Sequence, residues 1–528
     1  MNLIHDTWIP VDRQSGPDKR IAPWQVTDTE DPVLRLAAPR PDFNGALLQF
    51  LIGLLQTACT PQTPNDWAQW LDHPPTPDEL RQRFEPFAHA FELDGKGPRF
   101  MQDFDKIEGE EKPISNLLID APGAQTLKQN ADHFIKRGLV ETACPSCIAT
   151  ALFTLQTNAP SGGVGHRTSL RGGGPLSTLV ALDPTSSGLP DDLWRAAWLN
   201  VLDQSALAGL PGYSSTPEYA KVFPWLDHTR TSEKKTGHDT TPLDAAPLQM
   251  YWGMPRRIRV QWNKTTSGHC DLCGEQSDEL VSHYITRNYG TNYIGAWQHP
   301  LSPHQISKEG EPLPRHAQPG GISYRHWLGL TQGGDKDIPA LVITAFKNRK
   351  LDAEQLRMHV FGYDMDNMKA RCWYESTFPL FNVDESIANL FSQRSSELIE
   401  AAVETSRLTR AGIKDAWFKR PGDAKGDTGF LVQAFFDHTE TAFFSQLRQL
   451  KEQLEAGEDG RASLYAWHKV LRRTALELFD YWTARGDFES VNPRRIAEAR
   501  NRLGRWLNSE TKGLANLLGI TVTKEKAA

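Results

Sequence analysis

Two cysteine pairs of the same spacing, Cys144-Pro-Ser-Cys147 and Cys270-Asp-Leu-Cys273, constrain this chain more than any other feature. A two-residue gap lets both thiolates of a pair face one ion at about 2.3 Å, and two pairs complete the closed tetrahedral set of a structural zinc. Residues 148 to 269, 122 in all, separate the pairs. The metal would therefore staple two remote segments instead of nucleating a compact finger. Gly274, directly after the second pair, suits a backbone that turns back beneath the ion. A redox pair is the competing reading, but neither pair lies at the strand-to-helix junction of an evident redox unit. One structural zinc on Cys144, Cys147, Cys270 and Cys273 is expected, with no open position for chemistry. Cys59 and Cys372 stand alone and are expected to be buried small hydrophobes. Six cysteines in 528 residues are too few for a disulfide framework.

A chain of this length exceeds one hydrophobic core, so two or three domains are expected. Up to about residue 375 the pattern is mixed. Ser177–Leu182 and Ala340–Ala345 have strand character, while Asn44–Thr57 places Leu47, Leu48, Leu51, Leu54 and Leu55 at helical spacing. Residues 227–241 and the Pro-, Gly- and His-rich stretch 303–321 read as long loops. After Val383 four amphipathic patterns follow, of roughly 20 to 30 residues each. They run through Ile387 to Leu408, Val432 to Leu454, Leu464 to Trp482, and Ile496 to Leu507. The last opens with Asn492 as N-cap and Pro493 at the first helical position. The fold class is α+β: a large, zinc-stapled mixed α/β domain over 1–375, then an antiparallel four-helix bundle over 383–528.

The net charge of −7 excludes a uniformly basic nucleic-acid coat but permits a local basic groove. No run approaches the roughly 20 apolar residues of a membrane span, and the start of the chain lacks a signal-peptide pattern. No membrane partner and a cytoplasmic location are expected. Between the cysteine pairs lies Asn158-Ala-Pro-Ser-Gly-Gly-Val-Gly-His-Arg-Thr-Ser-Leu-Arg-Gly-Gly-Gly-Pro175, six glycines beside His166, Arg167 and Arg171. Glycine lets backbone approach a ligand with no Cβ in the way, and arginine supplies phosphate or minor-groove contacts. A flexible surface turn is the plain alternative. Five arginines between 494 and 505 suggest a polyanion surface on the last helix, although acidic residues are interleaved. There is no Gly-x-Ser-x-Gly elbow, His-Glu-x-x-His helix or Walker loop, so no catalytic residue is assigned and the chain is expected not to be an enzyme.

Taken together, the opening Asn2-Leu-Ile-His-Asp-Thr-Trp-Ile-Pro-Val11, both cysteine pairs, the glycine loop, Gly295–Pro303 and Gly362–Glu375 carry a resemblance across the whole chain. They are similar to the large subunit, CasA, of the type I-E CRISPR surveillance complex Cascade. The resemblance implies a subunit beside the crRNA, among other Cascade subunits. It implies recognition of a protospacer-adjacent motif (PAM) in double-stranded DNA, help in opening that duplex, and docking of a helicase-nuclease. Base pairing would then read most of the target and the protein a short duplex tag. Approach from the minor groove, with its degenerate code, implies tolerance for related tags. By position, the family's glycine loop falls on Ser161–Gly165, with Gly162, Gly163, Gly165 and Arg167 as DNA contacts. Its first loop falls between Gly123 and Val140, with Gln129 and Asn130, and its strand-separating wedge on Asn367 and Met368. The chain departs from the family where some members have a wedge glutamine and a lysine finger: the latter position falls near Asn288, with Arg287 the nearest cation. A zinc-containing enzyme acting on nucleic acid and a non-reading assembly scaffold are the alternatives.

Overall fold

The computed structural model describes residues 1–130, 137–183, 189–214, 216–317, 320–349, 356–366, 369–423, 426–485 and 492–521. The chain divides into two compact units, Met1–Pro319 with Asp335–Thr377, and Gly320–Gly334 with Phe378–Ala528. The first is mixed α and β and the second is helical. No helix of the described residues is long and apolar enough to cross a membrane.

The first unit opens with strands β1 (Ile9–Arg13), β2 (Gly16–Ile21) and β3 (Val33–Leu36), an antiparallel sheet in the order β2-β1-β3. Helix α1 (Pro41–Ala58) follows, with proline in its first turn where the missing N–H costs nothing. Its periodicity matches the expectation from Asn44–Thr57. Phe43, Leu47, Phe50, Leu51, Leu54 and Leu55 are buried. Phe50 is the hub of the core: the rings of Trp8, Phe91, Phe100, Phe153 and Trp252 meet it edge-on at 5.3 to 5.9 Å, the favoured quadrupolar arrangement.

Further along come β4 (Glu110–Pro113), α2 (Ala124–Lys128), α3 (Pro145–Asn158) and β5 (Ser177–Leu182), then β6 (Arg257–Val260), β7 (Thr265–His269), β8 (Gln276–Val281) and β9 (His283–Arg287). β7 and β8 form a two-stranded hairpin. β9 is the centre of the antiparallel sheet β4-β9-β6, with Arg287 opposite Arg257. The segment Ala340–Ala345, expected as a strand, lies instead in helix α4 (Leu341–Asn348). Val342, Ile343 and Phe346 are buried there, and packing overrides the β-branched composition. The Pro-rich stretch 303–321 is not simply a loop, for it pairs His304–Ile306 with Pro312–Pro314. Finally β10 (Leu356–Asp366) joins β5 and β11 (Lys369–Pro379) in the order β11-β10-β5. Cys59 is buried as expected, but Cys372 on β11 is exposed.

In the second unit helices α5 (Glu385–Trp417), α6 (Gly429–Glu455), α7 (Arg461–Thr483) and α8 (Pro493–Leu507) contain 33, 27, 23 and 15 residues. α8 is thus shorter than expected. Asn492 caps it, its side chain accepting from the Arg495 N–H at 3.0 Å. α5 packs on α6, α7 and α8, and α6 on α7. Trp467 on α7 donates its indole N–H to the Leu398 carbonyl of α5 at 2.9 Å. Tyr324, from the preceding segment of the same unit, stacks 4.2 Å from Phe443 and hydrogen-bonds the Thr439 hydroxyl. The arginines of α8 are largely engaged within the unit. Arg495 donates to the Ala416 and Trp417 carbonyls at the end of α5, while Arg494, Arg500 and Arg502 pair with Glu498, Asp480 and Asp415. Arg494, Arg500 and Arg502 nonetheless stay exposed to solvent.

Candidate functional site

The four cysteines converge. Their sulfurs all lie within 4.8 Å of one another, and Cys144 Sγ is 3.8 Å from Cys273 Sγ. Four sulfurs at about 2.3 Å from one ion stand about 3.8 Å apart along each tetrahedral edge. A disulfide would need about 2.05 Å. Two local geometries bring the pairs to this point. Cys144 is the N-cap of α3, with Pro145 in its first turn, so the helix start carries one pair. The turn of the β7–β8 hairpin carries the other, closed by the Gly274 N–H to the Cys270 carbonyl at 2.8 Å, with Gly274 in the left-handed region (φ +77°). The Cys144 N–H also points at Cys270 Sγ, 3.3 Å away. Ala143 and Val281 exchange both backbone hydrogen bonds, and the Asp271 carboxylate accepts the N–H groups of Glu141 and Thr142. The donor set fits a closed, tetrahedral metal centre with no free position.

A third segment reaches this centre. Arg20, on β2, forms an ion pair with Glu275 at 2.7 Å and donates to Ser146 Oγ at 2.5 Å, while its Nη2 lies 3.7 Å from Cys273 Sγ. Burial opposes the arginine charge, but Glu275 and the sulfurs of Cys144 and Cys273 outweigh it and raise the Arg20 pKa. Four thiolates around a divalent ion carry excess negative charge, which a guanidinium at sulfur neutralises. Groups surrounding a metal's ligands typically contribute about 10- to 100-fold in affinity. Arg20→Ala is therefore expected to release metal to a chelator about 10- to 100-fold faster, with Arg20→Lys intermediate. Equal release rates for wild type and Arg20→Ala would refute the role. Nothing in the sequence signals Arg20, which is 126 residues from Ser146.

Both segments held by the cysteines run on and meet again. α3 ends at Asn158 and continues into the glycine loop, while β8 continues through β9 to Arg287. Gln156, near the end of α3, donates to the Arg256 carbonyl at 3.0 Å and accepts from the Arg256 N–H at 2.9 Å. At Gly165 the segments touch: the Tyr289 N–H donates to the Gly165 carbonyl at 2.7 Å. A Cβ at Gly165 would stand 2.9 Å from Asn288 Cβ and 3.0 Å from Tyr289 N, and the residue has φ +77°. Only glycine fits that contact. Gly163 differs. Its φ is +88°, yet a Cβ there would meet nothing within 4 Å, so this backbone projects into open space. Gly162 is exposed and packs near His166 and the Arg256 guanidinium.

The cations of the loop face inward. Arg167 Nε donates to Ser232 Oγ at 2.8 Å and Nη2 to the Ser232 carbonyl at 3.3 Å. Arg171 is buried and bonds Ser302, Gln49, Ser177 and the Leu176 carbonyl. Burial pushes its pKa down to about 9. The Arg171 guanidinium is thus enclosed and spent on interior oxygens and is not available as a phosphate contact, whereas Arg167 is only partly buried and is held at Ser232. Arg287 is half-exposed and pairs with Glu233 at 3.2 Å. Asn288, at the lysine-finger position, lies against Gly165. Gln129 and Asn130 are exposed just after α2. Asn130 has φ +50° and accepts from Arg137 at 3.1 Å. Asn367 and Met368 follow β10 and precede β11, outside the described residues. The β10 strand is anchored by Tyr363, whose hydroxyl hydrogen-bonds buried Asp42, itself held by Arg40.

The model of one family, CRISPR-associated protein Cse1, matches residues 2–478. Solved structures share the fold. Thermobifida fusca Cse1 superposes with a TM-score of 0.70 at 16% identity, over 99% of this chain and 99% of that one. Thermus thermophilus CasA (Cse1) gives 0.62 at 17%, over 96% and 99%. A chain of a CRISPR RNA-guided surveillance complex gives 0.63 at 15%, over 96% and 99%.

Proposed function

The chain belongs to the CRISPR-associated protein Cse1 family, the large subunits of type I-E surveillance complexes, and from that premise we propose that it reads the PAM in duplex DNA for an RNA-guided complex. In this reading it sits with crRNA and the other Cascade subunits and helps open the duplex beside the tag. It then docks the helicase-nuclease that degrades the target. The four-cysteine centre holds one structural zinc, and the protein binds without catalysing. A closed set of four sulfurs supports that division, since it leaves no position for substrate or water. We place the mixed domain at 1–375 and an antiparallel four-helix bundle at 383–528, supported by the mutual packing of α5 to α8.

The observation that carries the reading is the bare backbone at Gly163, open on its Cβ side and braced through Gly165 against Tyr289. A B-form minor groove is about 6 Å wide, and the Gly163 backbone, bare on its own Cβ side beside the exposed Val164 side chain, can approach it where a side chain at 163 would collide. Gly163→Asp adds a Cβ at positive φ and a carboxylate facing phosphates. With the assembled complex, this variant is expected to lose the preference for PAM-bearing over scrambled duplex, a loss of about tenfold or more. If Gly163→Asp discriminates as well as wild type, the glycine loop is not the reader.

A further inference from the structure

Beside the glycine loop lies a cleft of about 720 Å³, lined by Lys234, Lys235, Thr236, Arg287, Asn288 and Tyr289, with Gly109, Glu110, Glu233 and Thr286 completing it. The two lysines come from a turn between Ser232 and His238 that no motif marks. The base of that turn is fixed on several sides. The Ser232 N–H donates to the Tyr289 carbonyl at 3.1 Å and its hydroxyl to the Gly290 carbonyl at 2.7 Å. Arg167 grips both Ser232 Oγ and its carbonyl. Gly237 and His238 close the turn onto Glu233 and Thr231 at 2.8 Å. The turn is thus tied to the glycine loop through Arg167 and to the end of β9 through Tyr289.

The charge of the cleft is uneven. Glu110 is paired with Lys112 and Glu233 with Arg287. Lys234 and Lys235 are exposed, and neither has an ion-pair partner among the described residues. A braced turn that places two exposed, unpaired lysines on the lining of a cleft beside Asn288 and Tyr289 matches what a sugar-phosphate strand requires: point charges within reach of phosphates.

We propose that Lys234 and Lys235 form a phosphate-binding edge of this cleft that grips the backbone of duplex DNA independently of its sequence, with Arg167 as the residue that positions them. The inference rests on the duplex-reading role proposed above, and it assigns the grip to a turn that carries none of the glycine-loop residues. Affinity then comes from the lysine turn and discrimination from the glycine backbone, the usual separation between phosphate and base-edge contacts.

The test uses the assembled complex and duplexes with and without the PAM, titrated over a salt series. Lys234→Ala/Lys235→Ala is expected to weaken every duplex on the order of tenfold and to lower the slope of log affinity against log salt by between about one and two, with the PAM preference intact. Lys234→Arg/Lys235→Arg is expected to keep the wild-type slope. Arg167→Gln, which leaves both ammonium groups but frees their base, is expected to lower affinity and slope in the same direction; a wild-type slope there would overturn its positioning role. An unchanged slope in the double alanine variant overturns the proposal. So does loss of crRNA or of assembly with an unchanged DNA slope, which would assign the cleft to RNA. The Gly163→Asp complex run in parallel separates the two claims. Discrimination lost there with the alanine slope unchanged leaves the reading and sinks the lysine edge, and the reverse result sinks the reading alone.

Discussion

Cys270→Ser is expected to lose the metal and to cost roughly 5 kcal/mol or more, because binding energy at a structural zinc is folding energy. Cys270 is 1% exposed and its sulfur accepts the Cys144 N–H. Its loss opens the tetrahedral set and removes the tie between the start of α3 and the β7–β8 turn. The unit also has a core of its own around Phe50, so the variant is expected to retain that core while the β7–β8 hairpin and the first turn of α3 loosen. Elemental analysis should fall from one zinc per chain to near none, and the thermal midpoint should drop by about 10 °C or more. Protection from hydrogen exchange should be lost first at residues 265–281. Equal zinc content in variant and wild type would end the claim.

The second large effect lies at a buried ion pair. Asp103, fully buried, accepts from Arg257 Nε at 2.5 Å, and both side chains are almost wholly enclosed. The Asp103 carboxylate also accepts the Asp105 N–H at 3.0 Å, and its backbone carbonyl accepts from Arg259 at 2.8 Å. Asp103→Ala would leave a guanidinium in the interior with no counter-charge, and is expected to cost about 3–5 kcal/mol. Replacing both partners, Asp103→Leu with Arg257→Met, removes the stranded charge and is expected to cost clearly less. Urea unfolding at an unchanged m-value measures both. A double variant as damaged as the single one would show that packing at this site, and not the unpaired charge, sets the cost. Arg257 stands opposite Arg287 across β6 and β9, so the single variant should also disturb the strand end that leads to Asn288.

Much of this was legible in the chain itself. The repeated Cys-x-x-Cys spacing announced a four-sulfur centre, and the structure brings those four sulfurs together. Asn492 and Pro493 marked the start of α8 to the residue, because a cap acts within one turn and is written in adjacent positions. The Leu and Phe periodicity of α1 and of α5 to α7 was equally local. Ala340–Ala345 misled because Val342, Ile343 and Thr344 favour strands in isolation, while burial decided for a helix. Arg171 misled for a different reason: glycine-rich composition beside arginine says nothing about which way a guanidinium turns, and this one is buried.

Local pattern therefore determined the four-cysteine cluster, most of the helices and the glycine loop as a candidate reader. Tertiary structure alone decided which charges are available at that loop. It turned Arg167 onto Ser232 and Arg171 onto Gln49 and Ser302, carried Arg20 to Cys273, and set Lys234 and Lys235 beside Asn288. Periodicity and caps are governed by residues three or four positions apart. The partner of a buried guanidinium is chosen by whichever unsatisfied oxygen the packed core brings within about 3 Å, and no window of sequence contains that distance.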